Sequence, residues 1–179
     1  MSRGPSELES VILGIVRKFG PCTAYTVRKH FEGSPTRFFT SSTGAIYPAV
    51  RRLHAAGLLA TSADRRGKQR REQLRLTDEG LRALRAWLGP PIDPHAFGTP
   101  YDPIRTRMYF LDALPPKKRR AFLEAVQRGL EQQLEQVRAY VDSFDATENP
   151  SGRAAASGCL HSTRAQVRWI AEAGRRLLP

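Results

Sequence analysis

The spacing of apolar residues predicts two short helices at the start of the chain. Apolar side chains recur every three or four positions over Glu7–Phe19, which is typical of an amphipathic helix. Gly20-Pro21 ends this helix, because proline has no backbone N–H to donate. Thr23 is suited to cap a second helix, which continues to Phe31 on the same apolar spacing.

A third helix is predicted from Ser41-Ser42, either of which can cap it, to the glycine at position 57. Pro48 lies inside this helix, where it removes one backbone hydrogen bond and kinks the chain. We nevertheless predict one continuous helix, because Val50 and Leu53 extend the apolar spacing beyond the proline.

A β-hairpin is predicted next. Residues 58–61 and 73–76 have strand-like composition, and they flank a charged loop over residues 64–71 that contains one glycine. Thr77 and the two acidic residues after it then open a fourth helix. The order of helix, helix, helix, hairpin and helix predicts a winged helix-turn-helix with a two-stranded wing.

The second half of the chain is predicted to be helical after a linker. Residues 90–101 are rich in proline and glycine, which favours a linker. A short helix is expected over residues 104–111, and a long helix follows Leu114-Pro115-Pro116 and continues to about Phe144. Residues 145–158 are polar and predict a loop, which precedes a final helix.

Apolar residues along the long helix follow a near-heptad repeat, and such a stripe requires a partner helix. We expect that a lone hairpin of two helices cannot bury both of its stripes, so a second copy of the chain is the predicted partner; packing against the first domain is the alternative. The fold is thus expected to be mainly α, with a winged helix-turn-helix over residues 1–89 and a dimerisation arm over 102–179. The predicted dimer-interface residues are Leu123, Val126, Leu130, Leu134, Val137, Val141, Phe144, Val167 and Ile170.

The charge is strongly positive and unevenly distributed. The net charge is +12, and residues 1–89 hold 16 Lys and Arg against 7 Asp and Glu. Residues 90–179 hold 13 against 10. Concentrated positive charge attracts polyanions such as nucleic acid, although a solvated basic surface is the alternative. The positions of the cations along the chain are therefore needed to distinguish nucleic-acid binding from a solvated basic surface.

The third helix and the hairpin carry residues suited to DNA. Short side chains near the start of the helix allow close approach to base edges, Tyr47 can donate to a phosphate, and Arg51 can donate to guanine or to the backbone. Five cations crowd seven positions of the hairpin and repel one another unless an anion neutralises them, as a wing in the minor groove would allow; a solvated loop is the alternative. The predicted DNA-binding residues are Ser42, Thr43, Ala45, Tyr47, Arg51, Arg52, Arg65, Arg66, Lys68, Arg70 and Arg71.

The sequence STGAIYPAVRRL over residues 42–53, followed by GLL over 57–59, resembles the signature of the PadR family of phenolic-acid-responsive repressors. Gly20-Pro21 and Gly80 also fall at positions typical of that family. The sequence departs from the family pattern at Ala24-Tyr25, at His54 and at Gln73-Leu74. The resemblance implies a dimer that represses nearby genes until a small ligand, which we expect to be aromatic or drug-like, releases it. Two-fold pairing of the chains would place two recognition helices about one DNA turn apart, so the operator should be palindromic.

A ligand site is predicted from aromatic composition. Aromatic side chains around and after the linker are expected to line an apolar pocket between the two parts of the chain, although core or interface positions are the alternative for each of them. Binding there would change the spacing of two recognition helices in a dimer. The predicted ligand-binding residues are Phe97, Tyr101, Tyr109, Phe110 and Trp169.

Other function classes find little support in the sequence. No nucleophile motif, phosphate-binding loop or cluster of carboxylates indicates an enzyme, and we expect no cofactor and no metal, because the four histidines are scattered. The polar N-terminus and the absence of a long apolar run predict a cytoplasmic protein with no membrane partner. Two alternatives remain: a winged-helix adaptor that docks on an acidic protein, and a thiol or metal sensor that uses Cys22 and Cys159.

Overall fold

The computed structural model describes residues 4–35, 43–66 and 69–178, and for Thr43 and residues 64–66 and 69–71 it describes the backbone alone. The chain divides into two compact units, the first ending at Gly98 and the second beginning at Thr99. The N-terminal unit contains α1 (Glu7–Phe19), α2 (Ala24–Gly33), α3 (Thr43–Ala55), β1 (Leu59–Arg66), β2 (Gln69–Leu76), α4 (Asp78–Leu88) and a 3-10 turn (Pro94–Phe97).

The predicted bounds of α1 are confirmed, and its start has a local chemical cause. Ser6 and Glu9 form a capping box, in which each side chain accepts a hydrogen bond from the backbone N–H of the other residue. Thr23 caps α2 in the predicted manner, by accepting from the N–H of Thr26 at 3.1 Å. Both helices therefore begin where a short polar side chain replaces the missing backbone acceptor.

Helix α3 runs through Pro48 without a break, as predicted. The expected cap at Ser41-Ser42 lies outside the described residues. The helix ends with Gly57 in the left-handed conformation, at φ 72°, which a glycine adopts without a steric penalty. The N–H of Leu58 then bonds to the carbonyl oxygen of Leu53 at 2.9 Å, which turns the chain into β1.

The hairpin differs from the prediction in the length of its strands. β1 and β2 pair in antiparallel register from Leu59 opposite Leu76 to Arg66 opposite Gln69. The prediction of a charged loop over residues 64–71 is therefore wrong for all but Gly67 and Lys68, which lie outside the described residues. Ladder hydrogen bonding extends the strands into sequence whose polar composition indicated a loop.

The core of the N-terminal unit collects the apolar faces of all four helices and both strands. The largest side chains with almost no exposure include Ile12 and Leu13 from α1 and Leu53 from α3. Cys22 forms an isolated bridge with Leu74, so the segment before α2 extends the small sheet by one residue pair. Burial of one apolar face in this core leaves the opposite face of α3 to solvent.

The C-terminal unit is helical throughout its described residues, apart from short turns. It contains α5 (Pro103–Tyr109), a 3-10 turn (Leu111–Ala113), α6 (Pro116–Asp142) and α7 (Pro150–Leu177). The predicted loop over residues 145–158 is wrong from Pro150 onward. Asn149 caps α7 by accepting from the N–H of Gly152 at 3.0 Å, and Pro150 occupies the first helical position, where its missing N–H costs nothing.

The apolar stripe of α6 packs against α7 of the same chain. Leu123, Leu130, Val137 and Val141 are all less than one-tenth exposed in the single chain, and Ile170 of α7 is 1% exposed. The expectation that a lone helical hairpin cannot bury these stripes is therefore corrected. Val126, Leu134, Phe144 and Val167 are only partly buried.

Candidate nucleic-acid interface

Helix α3 presents a polar face on the side opposite the core. Ile46 and Ala49 are fully buried, which fixes the rotation of the helix about its axis. That rotation leaves Arg51 exposed and Tyr47 half-buried, on the side predicted to contact DNA. The side chain of Arg51 forms no hydrogen bond or ion pair with the residues that the structure describes, so its guanidinium is available to a ligand.

The remaining predicted residues of α3 take different positions. Ala45 is half-buried near the start of the helix. Thr43 is the first residue of α3, and Ser42 lies outside the described residues. Thr43 and Ala45 thus lie in the first turn of α3, and the first turn of a helix is the part whose backbone N–H groups attract anions.

A groove of about 660 Å³ separates α3 from α2 and β2. Tyr47 and Arg51 line it from α3, Tyr25 lines it from α2 and Glu72 from β2. Its apolar floor includes Val50 and Leu74. The groove therefore combines two phenolic hydroxyls and one arginine with a carboxylate, a set able to discriminate between hydrogen-bond donors and acceptors.

Arg52 is held differently from Arg51. Its Nε donates to Oε1 of Glu9 at 2.7 Å, so the side chain is directed toward the start of α1. Partial burial on its own would raise the pKa of Glu9, but the Ser6 N–H and the Arg52 guanidinium together lower that pKa below its ordinary value. The two arginines look alike in the sequence. Of these two, only Arg52 has an acidic partner among the described residues.

The hairpin brings the cationic positions of the wing next to each other through its register. Arg65 pairs with Arg70 across the two strands, and Asp64 pairs with Arg71. Residues directly opposite each other in an antiparallel pair have their Cβ atoms about 4.5–5.5 Å apart, so like charges there repel. Arg66 lies opposite Gln69, and Lys68 lies outside the described residues.

Three residues near the start of α2 were not among the predicted site residues. Tyr25 is 53% exposed, and the guanidinium of Arg28 lies 5.1 Å from its ring centroid. Lys29 lies 5.7 Å from the same ring, which places two cations beside the groove. The Arg-Lys pair one turn after Tyr25 is the sequence signal that would have indicated them.

The predicted ligand residues differ in their exposure within their own units. Within the C-terminal unit, Tyr101, Tyr109 and Phe110 are between 62% and 82% exposed, and the last two form an edge-to-face pair. Trp169 is half-buried against the apolar cluster that contains Leu111 and Ile170. Phe97 belongs to the N-terminal unit and is 78% exposed there.

Cys22 and Cys159 are both free thiols, the first buried and the second partly exposed. Burial raises the pKa of the Cys22 thiol, which disfavours the reactive thiolate. No group of three or more His, Cys, Asp or Glu side chains able to hold a metal occurs among the residues that the structure describes. None of the described helices is both long and apolar enough to span a bilayer.

Comparison with known proteins agrees with this architecture. Three similar solved structures are Bacillus subtilis PadR in complex with operator DNA, the same protein in complex with p-coumaric acid, and the Vibrio cholerae virulence activator AphA. The first is 20% identical, with a TM-score of 0.83 over 96% of this chain and 99% of the other. The second is 20% identical, with a TM-score of 0.76 over 95% and 98%. AphA is 17% identical, with a TM-score of 0.66 over 96% of each chain.

At these identities the likeness establishes the fold, a winged helix-turn-helix followed by long helices. No match was found among curated proteins. The sequence itself supplies the further link, because residues 12–86 match the model of the transcriptional regulator PadR-like family. That match spans α3 and the hairpin, the two elements that form the candidate interface. Over this region, which is less than half of the chain, the sequence is similar to PadR-like transcriptional regulators.

Proposed function

We propose that the protein is a homodimeric repressor that binds a palindromic DNA operator through α3 and the hairpin. The observation that carries the proposal is the position of Arg51. This guanidinium is exposed on the polar face of α3, beside Tyr47 in the open groove, and has no partner among the described residues. An arginine presented in this way on a recognition helix is suited to the acceptor edge of guanine in the major groove.

The hairpin supports the same proposal through its charge. The register places Arg65 and Arg70 opposite each other, an arrangement that disfavours the folded hairpin unless an anion lies nearby. Backbone phosphates would supply that anion and would be contacted regardless of sequence. Helix α3 would then contact the bases, and the hairpin would position the protein on the duplex through the phosphates.

We propose repression, and release by a ligand, from the solved structures that have a similar fold. Bacillus subtilis PadR is known in complex with operator DNA and in complex with p-coumaric acid, so we propose a small aromatic effector for this chain too. AphA, which shares the fold, is a virulence activator. Activation is therefore the second candidate direction of regulation. Because the proposed partner is DNA, we expect the protein to act in the cytoplasm.

The proposal is tested by capture of genomic fragments with the purified protein, followed by fluorescence anisotropy on the shortest captured duplex. We expect an inverted repeat in the captured sequences, with half-sites about one helical turn, roughly 34 Å, apart. Between roughly 50 and 200 mM salt the affinity should fall steeply, because each neutralised phosphate releases counterions. A folded protein that binds no duplex at low ionic strength, yet binds acidic polypeptides, would instead be an adaptor.

The effector is tested on the same complex. p-Coumaric acid, other aromatic acids and cationic drugs are added to the protein–duplex complex and, separately, to the free protein in a thermal-melting assay. We expect a ligand to raise the melting temperature and to weaken DNA binding. A panel without effect on either quantity would contradict an aromatic effector and leave the DNA-binding proposal intact.

A further inference from the structure

The net positive charge of the C-terminal unit is carried by its first segment, residues 99–120. Residues 99–120 hold six Lys and Arg against two Asp and Glu. Residues 121–179 hold seven of each sign and are neutral. The first segment comprises α5, the 3-10 turn and the first turn of α6. The whole surplus of the unit therefore belongs to this segment.

Apolar packing brings the parts of this segment together in space. Ile104 and Met108 of α5 pack against the same cluster as Phe122 and Leu123 of α6. The cluster also includes Leu111 of the intervening turn. The elements that carry these cations therefore meet at one apolar cluster of the helical unit.

One cation of the segment has a structural role. Arg119 donates from Nε to the carbonyl oxygen of Leu114 at 2.6 Å and from Nη2 to that of Asp112 at 3.0 Å. It thereby fastens the turn to the start of α6. This side chain is half-buried, unlike its neighbours.

Lys117, Lys118 and Arg120 have no such role. All three are exposed, and none of their side chains makes a hydrogen bond or an ion pair with the part of the chain that the structure describes. Arg120 forms no ion pair with Glu124, one turn later, although Arg138 and Glu135 form one further along the same helix. These three exposed ammonium and guanidinium groups are called the α6 basic patch below.

The α6 basic patch also lies where the helix disfavours it. The first turn of α6 contains no acidic residue, and no side chain caps it. Cations at the start of a helix oppose its dipole and repel each other. Neither folding nor local ion pairing accounts for the three cations. A polyanion bound over them would reduce both their mutual repulsion and their unfavourable interaction with the helix dipole.

We propose that the α6 basic patch is a second DNA-contacting surface, which binds backbone phosphates of the duplex that flanks the operator. This inference rests on the proposed function, since it requires that the chain bind DNA. Three exposed cations that do not lie on a helix or strand inserted into a groove would contact phosphates, and such contacts carry no sequence preference. The surface would thus lengthen the footprint without changing the operator.

The test compares two duplexes and two triple variants of the full-length protein. One duplex is the shortest captured fragment that the wild type binds, and the other extends it at both ends by about two helical turns, roughly 20 base pairs, of unrelated sequence. One variant is K117Q/K118Q/R120Q. The matched control, R128Q/R164Q/R168Q, removes three exposed arginines that have no ion pair among the described residues and lie in the neutral part of the same unit.

We expect the wild type and the control to bind the extended duplex more tightly, by about tenfold at low salt, and the patch variant to lose this gain. The slope of log Kd against log salt on the extended duplex should fall by roughly 0.9 for each phosphate that the variant no longer neutralises, which is about 2 to 3 for each protomer and about 5 for the dimer. On the short duplex the two variants should have equal affinities. The patch variant should also melt no lower than the wild type, because its cations oppose the helix dipole.

Each contrary outcome is distinct. If the wild type binds both duplexes equally, or if the two variants lose the same affinity on the extended duplex, the α6 basic patch is not a DNA-contacting surface, while operator binding stands. If the wild type captures no genomic fragment and binds no duplex at low ionic strength, the proposed function itself fails.

Discussion

The Nε atom of Arg52 donates a 2.7 Å hydrogen bond to Oε1 of Glu9, a residue 43 positions earlier in the chain. The other carboxylate oxygen of Glu9 accepts from the N–H of Ser6 at 2.8 Å and so closes the capping box of α1. One carboxylate therefore begins α1 and joins it to α3. Arg51, the residue before Arg52 on α3, faces the open groove instead.

The first prediction separates these two adjacent arginines. We expect Arg51→Ala to weaken binding to a cognate operator by about 1–3 kcal/mol, because it removes a donor to a base. Arg52→Ala is expected to lower the free energy of unfolding by up to about 1 kcal/mol, because its ion pair is largely solvent-exposed on the arginine side. Fluorescence anisotropy and urea unfolding measure the two effects. A larger loss of operator affinity for Arg52→Ala would reverse these roles.

The second prediction concerns Glu9 and pH. Glu9→Gln should destabilise the protein by about 1 kcal/mol at neutral pH, because it weakens the cap and the ion pair. The pKa of Glu9 in the folded protein is below its ordinary value of 4.5. A lowered folded-state pKa contributes stability above the unfolded-state pKa, and this contribution is lost as the pH falls through the folded-state value.

The difference in unfolding free energy between wild type and Glu9→Gln should therefore shrink from about pH 5 to about pH 3. Urea unfolding at a series of pH values provides the measurement. Glu79→Gln is the control, because Glu79 pairs with Arg82 on an exposed helix surface. A pH-independent difference for Glu9→Gln would contradict the assigned pKa shift.

The third prediction concerns two helical glycines. At Gly80, an added Cβ would collide with the backbone carbonyl oxygen of Leu58 and lie 2.9 Å from Cδ1 of Leu76. Gly80→Ala should therefore destabilise the protein by about 1–3 kcal/mol, since α4 would have to move away from the base of the hairpin. At Gly14 the nearest atom would be Cδ1 of Leu84 at 3.9 Å.

Gly14→Ala is the matched control, with an expected gain of about 0.5–1 kcal/mol from the lower entropy of the unfolded chain. Thermal and urea unfolding report both changes. If Gly80→Ala were as stable as Gly14→Ala, the close approach of α4 to Leu58 would not occur in solution.

The fourth prediction distinguishes intramolecular packing from dimerisation. Ile170 is 1% exposed within the single chain, so Ile170→Ala should lower the stability of the C-terminal unit by about 2–5 kcal/mol. Leu134 is only partly buried and is predicted to contact a second copy. Leu134→Glu should shift the protein from dimer to monomer while its helical circular dichroism is retained. Sedimentation velocity measures the shift, and a Leu134→Glu dimer would remove this residue from the interface.

Local signals in the sequence were sufficient for the elements that local chemistry specifies. The limits of α1, the cap at Thr23 and the continuation of α3 beyond Pro48 follow from spacing and capping within a few residues. The start of α7 carries such a signal too, in Asn149 followed by Pro150, but the polar composition around it favoured a loop. Only a few positions there, such as Ala156, need to be buried against α6, so a helix can form with little apolar sequence.

Packing between distant parts of the chain settled the rest. A heptad-like stripe shows that α6 needs a partner, but the spacing is the same whether the partner belongs to the same chain or to another. Here packing against α7 buries part of the stripe: Leu123, Leu130, Val137 and Val141. Arg51 and Arg52 have the same chemistry and adjacent positions in the sequence. Their difference depends on the rotation of α3 about its axis, which directs Arg52 toward Glu9. Side-chain packing throughout the core of the N-terminal unit sets that rotation.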